Sequence, residues 1–429
     1  VNGHLFDRLE INMAPSNDPK RVAAIMLSWH SLDLISCTTL QTLWAGYGQI
    51  CAITARASTD AAAGHLDKLC GVDSGATGTT YHLILKLISP PRKSTGNADE
   101  GHLRKMFSYE VEQHFYSDIV PLLDDNIGIA KCLASTRGVA GRKGEEELKD
   151  LMATIMVDLR PKFPVAGGKR SVLSRAQVCG SLDWLAKFHS HSWSLLPKSL
   201  ETYVLPPLEE SIIRKTASKN TKRGLWLNGG YTYLATRRKE YESLVEDTYS
   251  EWSEAMCETL EGSSLSVAEM VAIVLTPCGR PVESYIHGDV KSENLFTTDS
   301  GEEVAFFDFQ YVGLGLGVCD LAKLFTCSVP MDMLMDVNEP LPEKLAMRDG
   351  EKRLLERYRT TLIRGQDASF YEWETFKRHW ETALVDWCRF QASWGFWGNT
   401  EWLEARVRSI LDDQQWRNWL RQNINSRKD

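Results

Sequence analysis

Four polar residues set the chemistry this chain could perform: His287, Asp289, Asn294 and Asp308, all within the stretch 285–324, YIHGDVKSENLFTTDSGEEVAFFDFQYVGLGLGVCDLAKL. Phosphoryl transfer from a nucleotide needs such a set. One carboxylate orients or deprotonates the attacking hydroxyl, while an amide oxygen and a second carboxylate hold Mg²⁺ on the phosphates. Asp289 and Asn294 have the spacing of a catalytic loop of the form H-x-D-x-x-x-x-N. Asp308 follows the run VAFF at 304–307, which reads as a buried strand delivering a carboxylate to the same place. Lys291, two positions after Asp289, is a further candidate for contacting phosphate.

Other elements must position these groups. A helix is expected over 19–34, where Val22, Ile25, Met26, Trp29 and Leu32 share a face. Strands are expected at 40–45 and 49–56, joined by a tight turn at Gly46-Tyr47-Gly48 whose amides could approach phosphates closely. The small-residue stretch 58–80 reads as a long loop with a short helix at 66–69. Lys86 is the one Lys inside the apolar strand 81–89, which Pro90 and Pro91 stop. Residues 92–102 are polar and expected to be mobile, and a helix at 103–123 aligns Phe107, Val111, Phe115 and Ile119. Two more strands are expected at 127–134 and 151–157, and a helix over 174–189 with Ser174 as its N-cap. His189 and His191 do not share a helix face and have no third ligand nearby, so a structural role is expected. The segment 195–235 is irregular, and 237–260 and 266–275 are helical. Trp373, Trp380, Trp387 and Trp394 recur every seven residues in a helical C-terminal part and can form one packed stripe.

The motifs HGD at 287–289, Asn294 and DFQ at 308–310 resemble the catalytic core of the aminoglycoside phosphotransferase and choline kinase-like superfamily, nearest to its ecdysteroid-kinase-like group. The resemblance implies an α+β, protein-kinase-like fold of two lobes. A small N-lobe would hold an antiparallel sheet with one helix, and a larger C-lobe would be mostly helical. The corresponding division is a helical lead-in at 1–36, a nucleotide-binding lobe at 37–158, and a catalytic and acceptor-binding lobe at 159–429. It further implies that Lys86 grips the α- and β-phosphates, partnered by Glu112 of the E-x-x-F-Y pattern, with Glu110 as the competing partner. Gly46 and Gly48 would close over the phosphates, and the backbone around Val157 and Leu159 would meet adenine. His287 would brace the loop, and Asp320 would anchor the loop after Gln310. The segment WGFWG at 394–398 looks like the W-G-x-W element of choline kinases, which makes Trp394 and Trp397 candidate walls for a cationic acceptor. Gly288 and Gln310 depart from the protein-kinase pattern, no Ala-Pro-Glu triplet follows Asp308, and Asp320 comes soon after. A small-molecule acceptor is therefore expected rather than a protein.

The 429 residues carry a formal net charge of −8, which argues against general nucleic-acid binding. No apolar run reaches the roughly 18 residues of a membrane span, and no secretory signal is visible, so a cytoplasmic location is expected. The ten Cys include no C-x-x-C pair and read as reduced thiols. The expectation is an ATP- and Mg²⁺-dependent kinase acting on a hydroxyl of a metabolite. The alternatives are a choline or ethanolamine kinase and a non-catalytic nucleotide-binding module. Nothing in the sequence specifies an oligomeric state.

Overall fold

A computed structural model describes residues 18–73, 75–90, 99–216, 223–229, 231–259, 263–335 and 340–425. Most of the polar stretch at 92–102 and the first half of the lead-in lie outside these residues. The chain divides into two compact units, Val1–Thr95 with Lys131–Asp158, and Gly96–Ala130 with Leu159–Asp429.

The first unit is built on an antiparallel sheet. Its strands are β1 (Leu32–Thr42), β2 (Gly48–Ala57), β3 (Thr80–Ile88), β4 (Cys132–Ser135) and β5 (Met152–Val157), in the order β1-β2-β3-β5-β4. The helix Pro19–Ser28 starts with Pro at its first turn and with Asp18 accepting from Lys20 N at 3.1 Å. It ends earlier than expected: Ser31 turns the chain at φ 56°, and β1 begins at Leu32. β1 lies at the sheet edge and is mostly exposed, so it shows no clean alternation of apolar residues that would reveal it. The helix is no separate lead-in, because Val22, Ala23, Ile25, Met26 and Leu27 belong to the same core as Cys51, Ile53, Leu83, Leu85 and Ile155. The expected loop after β2 contains a full helix, Asp60–Cys70, capped by the Thr59 side chain and closed by Gly71 at φ 69°.

The second unit holds the helix Glu100–His114, where an N-lobe helix was expected. Its contacts explain the placement. Phe107 packs edge-on to Trp226 at 6.5 Å, the Arg214 guanidinium lies 4.2 Å from the Phe107 ring, and Arg104 Nε donates to Thr236 O at 3.1 Å. A π-helical turn, Phe115–Ile119, continues that helix. The helix Arg175–Ser192 opens with the anticipated Ser174 cap, reinforced by the Gln177 side chain as a capping box. Six short strands follow the chain: β6 (Val165–Ala166), β7 (Trp226–Leu227), β8 (Glu283–Ile286), β9 (Leu295–Thr297), β10 (Val304–Phe306) and β11 (Gly313–Leu316). They form the sheets β10-β9-β6 and β7-β11-β8. In place of one helix over 237–260, Arg238–Glu246 and Glu251–Cys257 form two. The stripe of tryptophans runs along Trp373–Trp394, with Trp380 and Trp387 buried and Trp394 exposed.

Candidate active site

The buried strand β8 runs directly into His287, and the antiparallel pair β9/β10 brings the other two polar residues to one end of a hairpin. Leu295 pairs with Phe306, and Phe307 N donates to Asn294 O at 3.0 Å. Asn294 thus precedes one strand, and Asp308 follows the other by two residues. The Asn294 amide Nδ2 donates to Asp289 O at 2.8 Å and to Asp289 Oδ2 at 3.1 Å. His287 Nε2 donates to Phe307 O at 2.9 Å, while its Nδ1 accepts from Asp289 N at 3.2 Å. His287 thus joins the chain at Asp289 to Phe307, the residue before Asp308, and Asn294 is held to Asp289. Burial pushes the His287 imidazole below its ordinary value, against the pull of Asp320, so it is a neutral brace and not an acid.

Asp308 stands in the left-handed region at φ 64°, ψ 57°, which non-glycine residues adopt rarely. Its neighbours hold it there. Phe309 is fully buried and stacks on Phe115 at 4.2 Å, and Gln310 Nε2 donates to Asp308 Oδ1 at 2.6 Å. Gly288 has a steric reason for its identity: at φ 83°, an added Cβ would lie 2.3 Å from Tyr311 O. The Arg of protein kinases has no room in that position.

Asp320 differs from its expected role. It receives His287 N at 2.7 Å, Gly288 N at 2.9 Å and His189 Nε2 at 3.1 Å. It anchors the loop before Asp289, not the loop after Gln310. Burial works to raise its pKa, but the His189 hydrogen bond and the nearby positive charge prevail and hold it below the usual carboxylate range. His189 Nδ1 in turn accepts from Tyr358 OH at 2.7 Å, which fixes its tautomer and confirms a structural role. Lys323 Nζ donates to Gly288 O at 2.8 Å, and Ser328 Oγ accepts from Ser292 N at 2.8 Å. Sequence reasoning missed both residues. Their positions on and after an apolar helix, Val318–Cys327, carry no motif.

Lys291 Nζ lies 3.0 Å from Asp289 Oδ2 and 3.3 Å from Glu293 Oε1. Burial disfavours its charge, but Asp289, Tyr231 and Glu293 outweigh burial and hold the ammonium above its ordinary pKa. A fixed cation thus stands beside the Asp289 carboxylate.

The remaining expected residues are spread over both units. In the first unit, Lys86 is buried on β3, in register with Ile50 on β2 and Thr154 on β5. Gly46 and Gly48 shape the β1–β2 turn, and a Cβ on Gly48 would sit 2.1 Å from Leu87 O. Val157 ends β5. In the second unit, Glu112 is buried on Glu100–His114, whereas Glu110 is half-exposed and pairs with Arg214 at 2.7 Å. Leu159 O already accepts from Lys162 N at 3.1 Å and Phe163 N at 2.9 Å, so only its N–H remains for a ligand. Trp397 packs edge-on to Trp387 at 5.4 Å and to Phe390 at 6.1 Å, and Trp394 stacks along Phe390 at 6.2 Å.

A sequence profile described as the ecdysteroid kinase-like family matches residues 74–341. No curated protein matches the chain. Among solved structures, a Plasmodium vivax ethanolamine kinase is 12% identical, covering 90% of this chain and 84% of that one at a TM-score of 0.37. A macrolide 2'-phosphotransferase from Brachybacterium faecium is 11% identical, with 88% and 98% covered and a TM-score of 0.41. A choline kinase from Cryptosporidium parvum is 9% identical, with 91% and 89% covered and a TM-score of 0.37.

Proposed function

The chain belongs to the ecdysteroid kinase-like family, and from that premise we propose that it transfers the γ-phosphoryl group of ATP to a hydroxyl of a small metabolite. The observation that carries the reading is the hub around His287, which ties Asp289, Asn294 and the chain at Asp308 together. A bond forms between the acceptor oxygen and the γ-phosphorus as the bond to the leaving ADP oxygen breaks. Asp289 orients the hydroxyl and takes its proton. A carboxylate suffices because the transition state is loose and asks little base strength. Lys291 sits where it can pass from Asp289 to an incoming phosphate oxygen and stabilise the charge carried there.

The donor set fits Mg²⁺. The Asn294 amide turns its nitrogen to Asp289, which leaves its oxygen as the other end, and Asp308 adds a carboxylate. Both are hard oxygen ligands. When bound, the ion would supply positive charge to the nucleotide phosphates. Lys86 of the first unit grips the α- and β-phosphates in this reading. Gly46 and Gly48 let backbone amides approach the phosphates, and the backbone at Val157 and the Leu159 N–H serve adenine. A compartment holding ATP and reduced thiols, such as the cytoplasm, suits this chemistry.

The test is ATP consumption across a library of metabolite alcohols, with Asp289→Ala as the blank. Turnover in the parent that is lost in the variant, with nucleotide binding retained, supports the reading. A variant within about tenfold of the parent kcat sinks it.

A further inference from the structure

The aromatic surface near Asp289 already holds a cation of the chain's own. The Arg237 guanidinium lies 4.8 Å from the ring centre of Tyr231, 5.1 Å from Trp394 and 5.4 Å from Phe390. It is 3% exposed, and its Nε donates to Tyr231 O at 2.6 Å and its Nη1 to Glu240 Oε1 at 3.0 Å. A second guanidinium, Arg104, lies 4.0 Å from the same carboxylate oxygen. Glu240 is thus already shared between two arginines.

This cage connects to the catalytic loop through direct packing. The Tyr231 and Tyr311 rings lie 4.7 Å apart, and the Tyr311 backbone is the surface against which Gly288 closes. Consistent with that proximity, burial and then the Asp289 charge raise the Tyr231 phenol. The cage is open to solvent at Trp394, which is 51% exposed.

We infer that Arg237 is a specificity-determining residue: it fills the aromatic cage, excludes alcohols that carry an ammonium group, and leaves the Trp394 face for acceptors without positive charge. This rests on the kinase reading above. Ring faces attract one cation through their quadrupoles, and here that place is taken. A second cation would meet the guanidinium at short range in a partly buried site, where like charges repel far more than in water.

Choline and 3,3-dimethylbutan-1-ol share a shape and differ in charge, which makes them the discriminating probes. Binding to the full chain is measured by calorimetry. It is located by the Trp394 indole N–H resonance, identified by its loss in Trp394→Phe. The neutral alcohol is expected to bind at least tenfold tighter than choline and to shift that resonance. Arg237→Met is expected to reduce the preference at least tenfold. Should that variant fail to fold, Trp394→Ala keeps Arg237 in place and is expected to weaken the neutral alcohol without admitting choline. The proposal falls if choline binds as tightly in the parent, if neither probe moves Trp394, if folded Arg237→Met keeps the parental ratio, or if Trp394→Ala gains choline. Neither probe needs turnover. A failed kinase reading would appear separately, as ATP consumption indifferent to Asp289→Ala.

Discussion

The loop that carries Asp289 and the Arg237 corner lie side by side and are built on opposite plans. The loop is suspended from fully buried polar groups, with Asp320 receiving two loop amides and His189, and Lys323 holding Gly288 O. The corner is a cluster of rings around one guanidinium, with Trp394 half in solvent. A buried polar network of this kind has one low-energy arrangement, because every alternative strands a desolvated group. An open aromatic wall tolerates change. In the function proposed here, geometry for phosphoryl transfer belongs to the first plan and acceptor choice to the second.

The widest break between the two plans comes from Asp289→Ala, which is expected to lower kcat by about 10²- to 10⁴-fold, the range of a general base. Nucleotide affinity should stay within a few-fold, as read by titration with a fluorescent nucleotide. Asp308→Ala should instead abolish the Mg²⁺ dependence of that titration. Asp320→Ala is the structural counterpart. It strands His287 N and Gly288 N and leaves His189 without its carboxylate, so a loss of about 3–5 kcal/mol is expected in denaturant unfolding. A variant melting within a degree of the parent would show that the loop does not hang from Asp320.

A pH series sharpens the contrast further. The folded pKa of His287 is depressed by burial, so below its unfolded value of about 6.5 the unfolded chain binds the proton more readily. Its contribution to stability is present above that pH and is lost as pH falls. The melting temperature should drop between pH 7.5 and 5.5, and drop less in His287→Gln. Equal slopes would remove His287 from the account. Trp394→Ala should have the smallest effect, within about 0.5 kcal/mol in stability because the side chain is half-exposed. Its effect should fall on acceptor KM and leave kcat alone. A kcat loss as large as that of Asp289→Ala would erase the distinction between the two regions.

Much of the hub could be read before any coordinates. The spacing of His287, Asp289 and Asn294, and the apolar run before Asp308, are local patterns, and β8, β9 and β10 form around them. Ser174 as a cap was equally legible, since capping depends on residues three positions apart. Edge strand β1 was partly hidden because exposed strands lack the alternation that burial imposes. The helix Asp60–Cys70 was hidden because alanines and glycine disguise its period. Arg237 gave no signal at all. It is one of many arginines in the chain, and only the meeting of its own neighbour Tyr231 with Phe390 and Trp394 of the distant helix Trp373–Trp394 makes it distinctive.

By itself, then, the sequence determined the candidate reactive groups and the short elements that carry them, since such a loop and its hairpin are specified by residues that are near neighbours along the chain. Tertiary structure alone decided what Asp320 holds, which of Glu110 and Glu112 is already engaged on the surface, and which cation fills the aromatic corner. Those outcomes depend on burial and charge brought together over separations from 33 residues, between His287 and Asp320, to 104, between Glu110 and Arg214, and beyond, where no spacing rule reaches.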